Sequence, residues 1–449
     1  MSDQKNIYSQ WDTTTLGELI DKDNGSIQTG PFGTTLKAAE YTKNGVPLIS
    51  VRELVDGRVE IDQKTPKVNQ HILDRLPQYI LQKGDIVFGR KGSVERSALI
   101  REREHGWFLG SDGIRIRLHE CVDTRFIHYQ VRSKETSTWL LQHASGTTMP
   151  SLNQKILRKL PLTLPPLPEQ KAIASILGSL DNKIELNNKM NETLETMARA
   201  LYKSWFVDFD PVVAKAAGKR PYGMDDKTAA LFPDRFVDSE LGPIPEGWEI
   251  VKLSNEIELN PKVELQKNGK SPYLSMQNVI PFRIRPTKWE WRQLTSGVKF
   301  ENGDTLVARI TPSLENGKTI MVDFLPDDQP GWGSTEFLVL RNKGRLSPSF
   351  IYFMARGNEF RDIAIASMIG SSGRQRVQNE AVKDFLFSIP DSRNIFDSFE
   401  NFSSQLIKTI KYNDKESQTL SQIRDLLLPK LISGEIRIKD AEKVVEEAL

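Results

Sequence analysis

Leu164-Pro165-Pro166-Leu167-Pro168-Glu169-Gln170 opens a stretch that meets no further proline until Pro211. Proline fixes φ and lacks a backbone N–H, so it suits a helix's first turn and stops a helix further on. The spacing predicts a helix over 168–207. Within it Leu177, Leu180, Ile184, Asn187, Asn191, Leu194, Ala198, Leu201 and Trp205 follow the a and d spacing of a heptad repeat. About 40 helical residues span about 60 Å, more than one turn of B-DNA at about 34–36 Å.

Adding 226 to each position gives Ser403, Leu406, Ile410, Asn413, Ser417, Leu420, Arg424, Leu427 and Leu431, a second seam in a helix over about 396–428. Asn187 and Asn413 occupy equivalent positions. A polar seam residue costs stability but fixes register, because misaligned pairing leaves its amide unsatisfied. The two seams read as an intramolecular coiled coil with Asn187 and Asn413 setting its register. The alternative has each helix packing on its own globular half, with both Asn side chains in water.

The repeat extends beyond the helices. Pro47-Leu48-Ile49-Ser50-Val51 matches Pro272-Tyr273-Leu274-Ser275-Met276. Gly84-Asp85 before Arg90 matches Gly303-Asp304 before Arg309, and Gly110-Ser111 matches Gly333-Ser334. Apolar runs at 85–88, 113–118, 305–307 and 337–340, broken by Gly, Pro and Asn, read as strands. Segments 123–133 and 347–356 read as helices. The fold class is therefore α+β, with two repeated α/β domains separated by long helices. The boundaries are a first domain at 1–165, a central helix at 166–208 and a connector at 209–245. A second domain at 246–392, a distal helix at 393–435 and a tail at 436–449 complete the chain.

The 449 residues carry 61 Lys and Arg against 59 Asp and Glu, a net charge of +2. That argues against a histone-like basic surface but allows a DNA binder with local patches. No apolar run is long enough to span a membrane, and Met1-Ser2-Asp3-Gln4-Lys5 lacks an apolar signal core, so the reading is a cytoplasmic protein. Cys121, the lone cysteine, excludes an intramolecular disulfide and reads as a small buried or half-buried thiol. His71, His105, His119, His128 and His143 have no metal spacing and read as surface or strand-end residues. No phosphate-loop, H-E-x-x-H, G-x-S-x-G, amino-methyltransferase or nuclease signature is present, so the chain reads as non-catalytic and without a metal.

Several segments resemble the specificity subunit of Type I restriction-modification enzymes. Thr29-Gly30-Pro31-Phe32-Gly33, with Leu36, Tyr41 and Gly45-Val46-Pro47, is similar to the opening of that family's target recognition domains. Gly84-Asp85-Ile86-Val87-Phe88-Gly89-Arg90-Lys91-Gly92 resembles a core motif of the same domain. The run from Leu164 to Gln170 is the most specific match. Gly242-Pro243-Ile244-Pro245-Glu246-Gly247-Trp248 resembles the entry to a second recognition domain, and Leu428-Pro429-Lys430-Leu431-Ile432-Ser433-Gly434-Glu435-Ile436 the family's C-terminal end. The second half departs from the pattern at Pro312 and at Ile389-Pro390-Asp391.

The resemblance implies two target recognition domains, each reading one half of a bipartite duplex DNA target. It implies long helices paired antiparallel as a spacer, with pseudo-twofold symmetry. It also implies two methyltransferase (modification) subunits docked on the helices and carrying S-adenosylmethionine, and motor/nuclease (restriction) subunits completing the complex. No cofactor is expected in this chain. The rival readings are a duplicated interaction scaffold without a DNA role, and a divergent single-chain methyltransferase or nuclease.

A duplex reader needs phosphate contacts for register and base-edge contacts for sequence. Arg90 and Lys91 follow a strand at a Gly-flanked turn, as does Arg309. Arg374 and Arg376 sit in a Gly/Ser loop whose counterpart offers Thr147 and Thr148 instead. Arg52, Gln277 and Asn278 follow an apolar strand. These ten are the DNA-contact candidates. Trp205 and Phe206 read as helix core rather than stacking platforms.

Overall fold

A computed structural model describes residues 11–62, 64–146, 148–265, 269–326 and 329–448. Two compact units appear: residues 1–186 with 416–449, and residues 187–415.

Each unit builds the same sheets from the same part of its repeat. In the first, an antiparallel sheet runs in the order Ser26–Thr29, Gly113–Arg117, Ile86–Gly89, Ser97–Leu99. In the second the order is Ile257–Leu259, Phe337–Asn342, Thr305–Ala308, Thr319–Met321. A second sheet in each, of three strands in the first unit and four in the second, contains one parallel pair, Val46–Ile49 with Phe108–Leu109 and Lys270–Leu274 with Gly331–Gly333. A two-stranded ladder joins the start of each domain to its end, Asp12–Thr15 with Pro161–Leu164 and Trp248–Lys252 with Leu386–Pro390.

The repeated Gly-Asp has a packing reason. Asp85, only 1% exposed, accepts two 2.7 Å hydrogen bonds from Arg117 on the neighbouring strand. Asp304, also 1% exposed, accepts the same pair from Arg341. A buried carboxylate needs such a partner, and the planar guanidinium matches it in two places at once.

The long helices are Leu167–Phe206 and Arg393–Ile432, of 40 residues each. The second begins earlier than its seam predicts because Ser392 Oγ accepts from the Asn394 amide at 3.3 Å and caps the first turn. It also continues through Pro429, near its end. All eighteen seam positions are buried or half-buried. In the first unit Arg424 meets Asp181 and Glu416 meets Lys183, and in the second Phe399 meets Trp205 and Phe206. Numbers rise along one helix as they fall along the other, so the pairing within each unit is antiparallel.

Both helices also pack on the domains. Leu177, Leu180, Leu420 and Leu427 join the core of the first unit. Trp205 and Phe206 are buried among Phe350, Phe396 and Phe399 in the second, so they are core. The connector is ordered, with helices Asp210–Ala216 and Asp226–Ala230 and Phe232 buried in that same core. Residues expected as a tail form a helix, Ile438–Glu446, whose Ala441 and Val445 are buried in the first unit.

Two sequence readings are corrected. Cys121 is exposed, because it lies in the loop after strand Gly113–Arg117, where its amide donates to Asp23 at 2.8 Å. The Asp23 carboxylate beside it pushes the thiol pKa up. His128 is buried rather than at the surface, since it faces inward on helix Thr124–Val131, and burial holds its pKa well below the usual histidine range. The other four histidines are exposed.

Candidate nucleic-acid interface

Strand Ile86–Gly89 is buried throughout and delivers Arg90 at its end. Gly89 is required there, because a Cβ would stand 2.5 Å from the Ser93 carbonyl oxygen and 2.7 Å from Val51 Cγ2. The Arg90 amide donates to the Asp112 carbonyl, and the Arg90 carbonyl accepts from Leu152, both at 2.8 Å. Its guanidinium donates to the Ser111 carbonyl at 3.0 Å and lies 4.7 Å above the exposed ring of Phe32. Lys91 is exposed and bridges to Ser151. Ser145 and Ser151 exchange backbone hydrogen bonds of 2.9 and 2.8 Å, which close a loop carrying the exposed Thr148. Thr147 lies outside the described residues.

The second unit repeats this edge with different side chains. Strand Thr305–Ala308 delivers Arg309, whose amide donates to the Glu336 carbonyl at 2.9 Å. The Arg309 carbonyl accepts from Val377 at 2.9 Å, and its Nη2 donates to the Val377 carbonyl at 3.2 Å. Ile369 and Arg376 exchange backbone hydrogen bonds, closing a loop that carries Arg374 and Arg376. Thr311 donates to the Gln375 carbonyl at 3.0 Å and pins that loop to the strand's extension. Arg374 is exposed. Arg376 lies on Glu336, with Nη2 donating at 2.6 Å and Nε at 2.9 Å. That guanidinium holds the Glu336 carboxyl below the usual range.

Arg52, Gln277 and Asn278 sit on equivalent short 3-10 helices, Val51–Glu53 and Met276–Asn278. The first lies beside Gly89 through Val51. The second is tied to strand Thr305–Ala308 by Lys318, whose Nζ donates to the Met276 carbonyl at 2.8 Å and whose carbonyl accepts from Ala308. Gln277 is exposed and Asn278 half-buried. Arg52 is engaged locally by Asp62 at 2.5 Å, an exposed pair that competes weakly with a phosphate. Within each unit the candidates therefore gather at one strand end. Phe32, from the Thr29–Gly33 motif, and Asp112 belong to this edge in the first unit and Glu336 to its counterpart in the second, and neither acid was singled out from sequence. Their signal was the acid that follows each repeated Gly-Ser, at Asp112 and two residues after Ser334.

The register pair is buried. Asn187 Nδ2 donates to the Asn413 carbonyl at 3.4 Å, and Asn413 Nδ2 donates to Asn191 Oδ1 at 2.8 Å. Asn191 in turn donates to Asp414, which faces Arg285 at 3.3 Å. Neither Asn187 nor Asn413 faces water.

Residues 8–196 match the family described as Type I restriction modification DNA specificity domain. The MjaIX specificity subunit of Methanocaldococcus jannaschii is 24% identical over 97% of this chain and 95% of its own length. Residues 8–196 thus match that domain family, and over nearly its whole length the chain is similar to a Type I restriction specificity subunit. The HindI specificity subunit of Haemophilus influenzae is 26% identical over 69% of this chain and 77% of its own length. Its fold is similar to the crystal structure of the Type I restriction-modification S subunit from M. genitalium, with a TM-score of 0.51, 16% identity and coverage of 96% and 97% of the two chains. No helix among the described residues is long and apolar enough to cross a membrane. No His, Cys, Asp and Glu cluster among them could hold a metal ion.

Proposed function

We propose that each recognition domain of this specificity subunit reads one half of a bipartite duplex target. The observation that carries the reading is the edge built twice. Arg90 and Arg309 leave equivalent strands, and each is pinned by backbone hydrogen bonds to a loop that presents polar or cationic side chains. A surface that must meet bases needs rigid backbone under a few aimed donors. Arg90, Lys91, Arg309 and Arg374 supply cations for phosphates or guanines, while Arg52, Thr148, Gln277 and Asn278 flank them as polar contacts, and Thr147 is a candidate from sequence alone.

The helix pair spaces the two domains and docks two methyltransferase subunits. Those subunits carry S-adenosylmethionine, and motor/nuclease subunits complete the complex in the cytoplasm. This chain supplies no catalytic residue and holds no cofactor. The test uses the purified full chain. It is expected to shift random duplex at low salt, with affinity falling steeply as salt rises. It is expected to bind no S-adenosylmethionine, and to direct adenine methylation at one bipartite sequence once the methyltransferase is added. No duplex binding at low salt would remove the DNA role. Methyl transfer by the chain alone, lost on mutation within it, would show an enzyme.

A further inference from the structure

The second recognition edge contains a carboxylate where a DNA surface would be expected to carry only donors. Glu336 stands immediately before strand Phe337–Asn342, 21% exposed, and holds Arg376 side-on through Nε and Nη2. Arg376 is 46% exposed. Its backbone is fixed on both sides, by Ile369 and by the step from Val377 to Arg309.

A guanidinium has five N–H donors in one rigid plane. The side-on carboxylate takes the Nε–H and one Nη2–H. The end-on edge keeps one N–H on each terminal nitrogen, parallel and pointing away from the carboxylate. That edge matches the O6 and N7 acceptors of guanine in the major groove. The ion pair is also close to neutral, so it attracts a phosphate weakly while keeping its directional donors. Arg374, two residues earlier, makes no side-chain hydrogen bond among the described residues, and a bare cation suits a phosphate. The first unit has Asp112 at the place of Glu336, and its loop from Ser145 to Ser151 holds no arginine.

We propose that Arg376 reads a guanine in the half-site of the second recognition domain, and that Glu336 is the positioning residue that aims it. The inference rests on the DNA-reading role proposed above and assigns that role to one base.

The full chain is used to select duplexes from a random library, as wild type and as Arg376→Gln, Glu336→Gln and Glu336→Asp. Wild type is expected to enrich a bipartite sequence with a guanine in one half. Arg376→Gln is expected to lose about 10- to 100-fold of discrimination at that single base pair, with adenine gaining, since glutamine matches adenine. Glu336→Gln is expected to blur the same base pair and to steepen the salt dependence of binding by about one ion, because it frees a cation for phosphate. Glu336→Asp is expected to retain part of the preference. A bipartite sequence whose every position survives Arg376→Gln would overturn the inference and leave the DNA role intact. Glu336→Gln that lowers affinity evenly for all sequences, with no change in salt dependence, would overturn the positioning role. A wild-type chain that enriches no sequence would instead overturn the DNA-reading role itself.

Discussion

Arg424 donates from Nη1 to Asp181 Oδ1 at 2.7 Å, across the helix pair of the first unit. The Tyr129 hydroxyl donates to the other oxygen at 2.8 Å, and Arg132 stands 3.8 Å away. Asp181 thus ties the two long helices to helix Thr124–Val131 of the recognition domain. Burial opposes its charge most strongly, but Arg424, Arg132 and the Tyr129 hydroxyl together outweigh burial and hold the carboxyl below its usual value.

Arg424→Ala is expected to destabilise the chain by about 2–3 kcal/mol, the value of a hydrogen bond to a buried charge. The loss stays below that of a fully orphaned carboxylate because Tyr129 and Arg132 still face Asp181. The folded pKa of Asp181 lies below its unfolded value. Its contribution is therefore present above the unfolded value of 3.8 and fades as pH falls through the lower folded one. Urea midpoints for wild type and Asp181→Asn between about pH 7 and about pH 3 check this. The gap between the two is expected to close at the acid end.

The buried amides make a second expectation. Asn413→Ala removes the donor to Asn191 Oδ1, which is half-buried in the helix pair. A loss of about 1–2 kcal/mol follows, read as a lower urea midpoint. Cysteines introduced as Asn187→Cys and Asn413→Cys, with Cys121→Ser, are expected to be joined by a short bis-maleimide within one chain. No intrachain product would mean that these positions do not face each other in solution.

The antiparallel pairing decides how a spacer is lengthened. Asn413 lies against Asn187 and Asn191, so a heptad after Asn188 has its match after Asn413. Insertions placed by the 226-residue offset, before Leu194 and before Leu420, would shift the seam between them. Matched heptads lengthen the pair by about 10 Å, or about three base pairs at about 34 Å per turn. With methyltransferase present, both half-sites are expected to stay unchanged while the gap between them lengthens. Methylation at the original spacing by a folded variant would show that the helices do not set it.

Arg374→Gln provides a contrast to the guanine reader. A phosphate contact is expected to weaken all duplexes about equally and reduce the salt slope by about one. Binding isotherms over a salt series on target and random duplex check it. Loss confined to one base pair would make Arg374 a base reader instead.

The fold was legible in sequence wherever one residue's spacing carried the information. The seams from Leu177 to Trp205 and from Ser403 to Leu431 locate both helices, and Gly84-Asp85 with Gly303-Asp304 locate equivalent strands. The candidates clustered because each follows a strand or closes a loop, both visible as local pattern. Partners distant in sequence were not legible. Glu336 and Arg376 are 40 residues apart, and Asp181 and Arg424 are 243 apart. Cys121 and His128 were misread because burial depends on which way a turn or helix faces, and a lone residue has no period to reveal that.

The first unit takes residues from both ends of the chain, 1–186 and 416–449. Its core waits for Leu420, Leu427 and Leu431, which are synthesised after the whole of the second unit. On the ribosome the domain that is made first is therefore completed last. Until then Leu177, Leu180 and Ile184 lack their final neighbours. A chain lacking residues 416–449 would leave the apolar faces of Leu177, Leu180 and Ile184 without those neighbours, and such exposed surface favours aggregation.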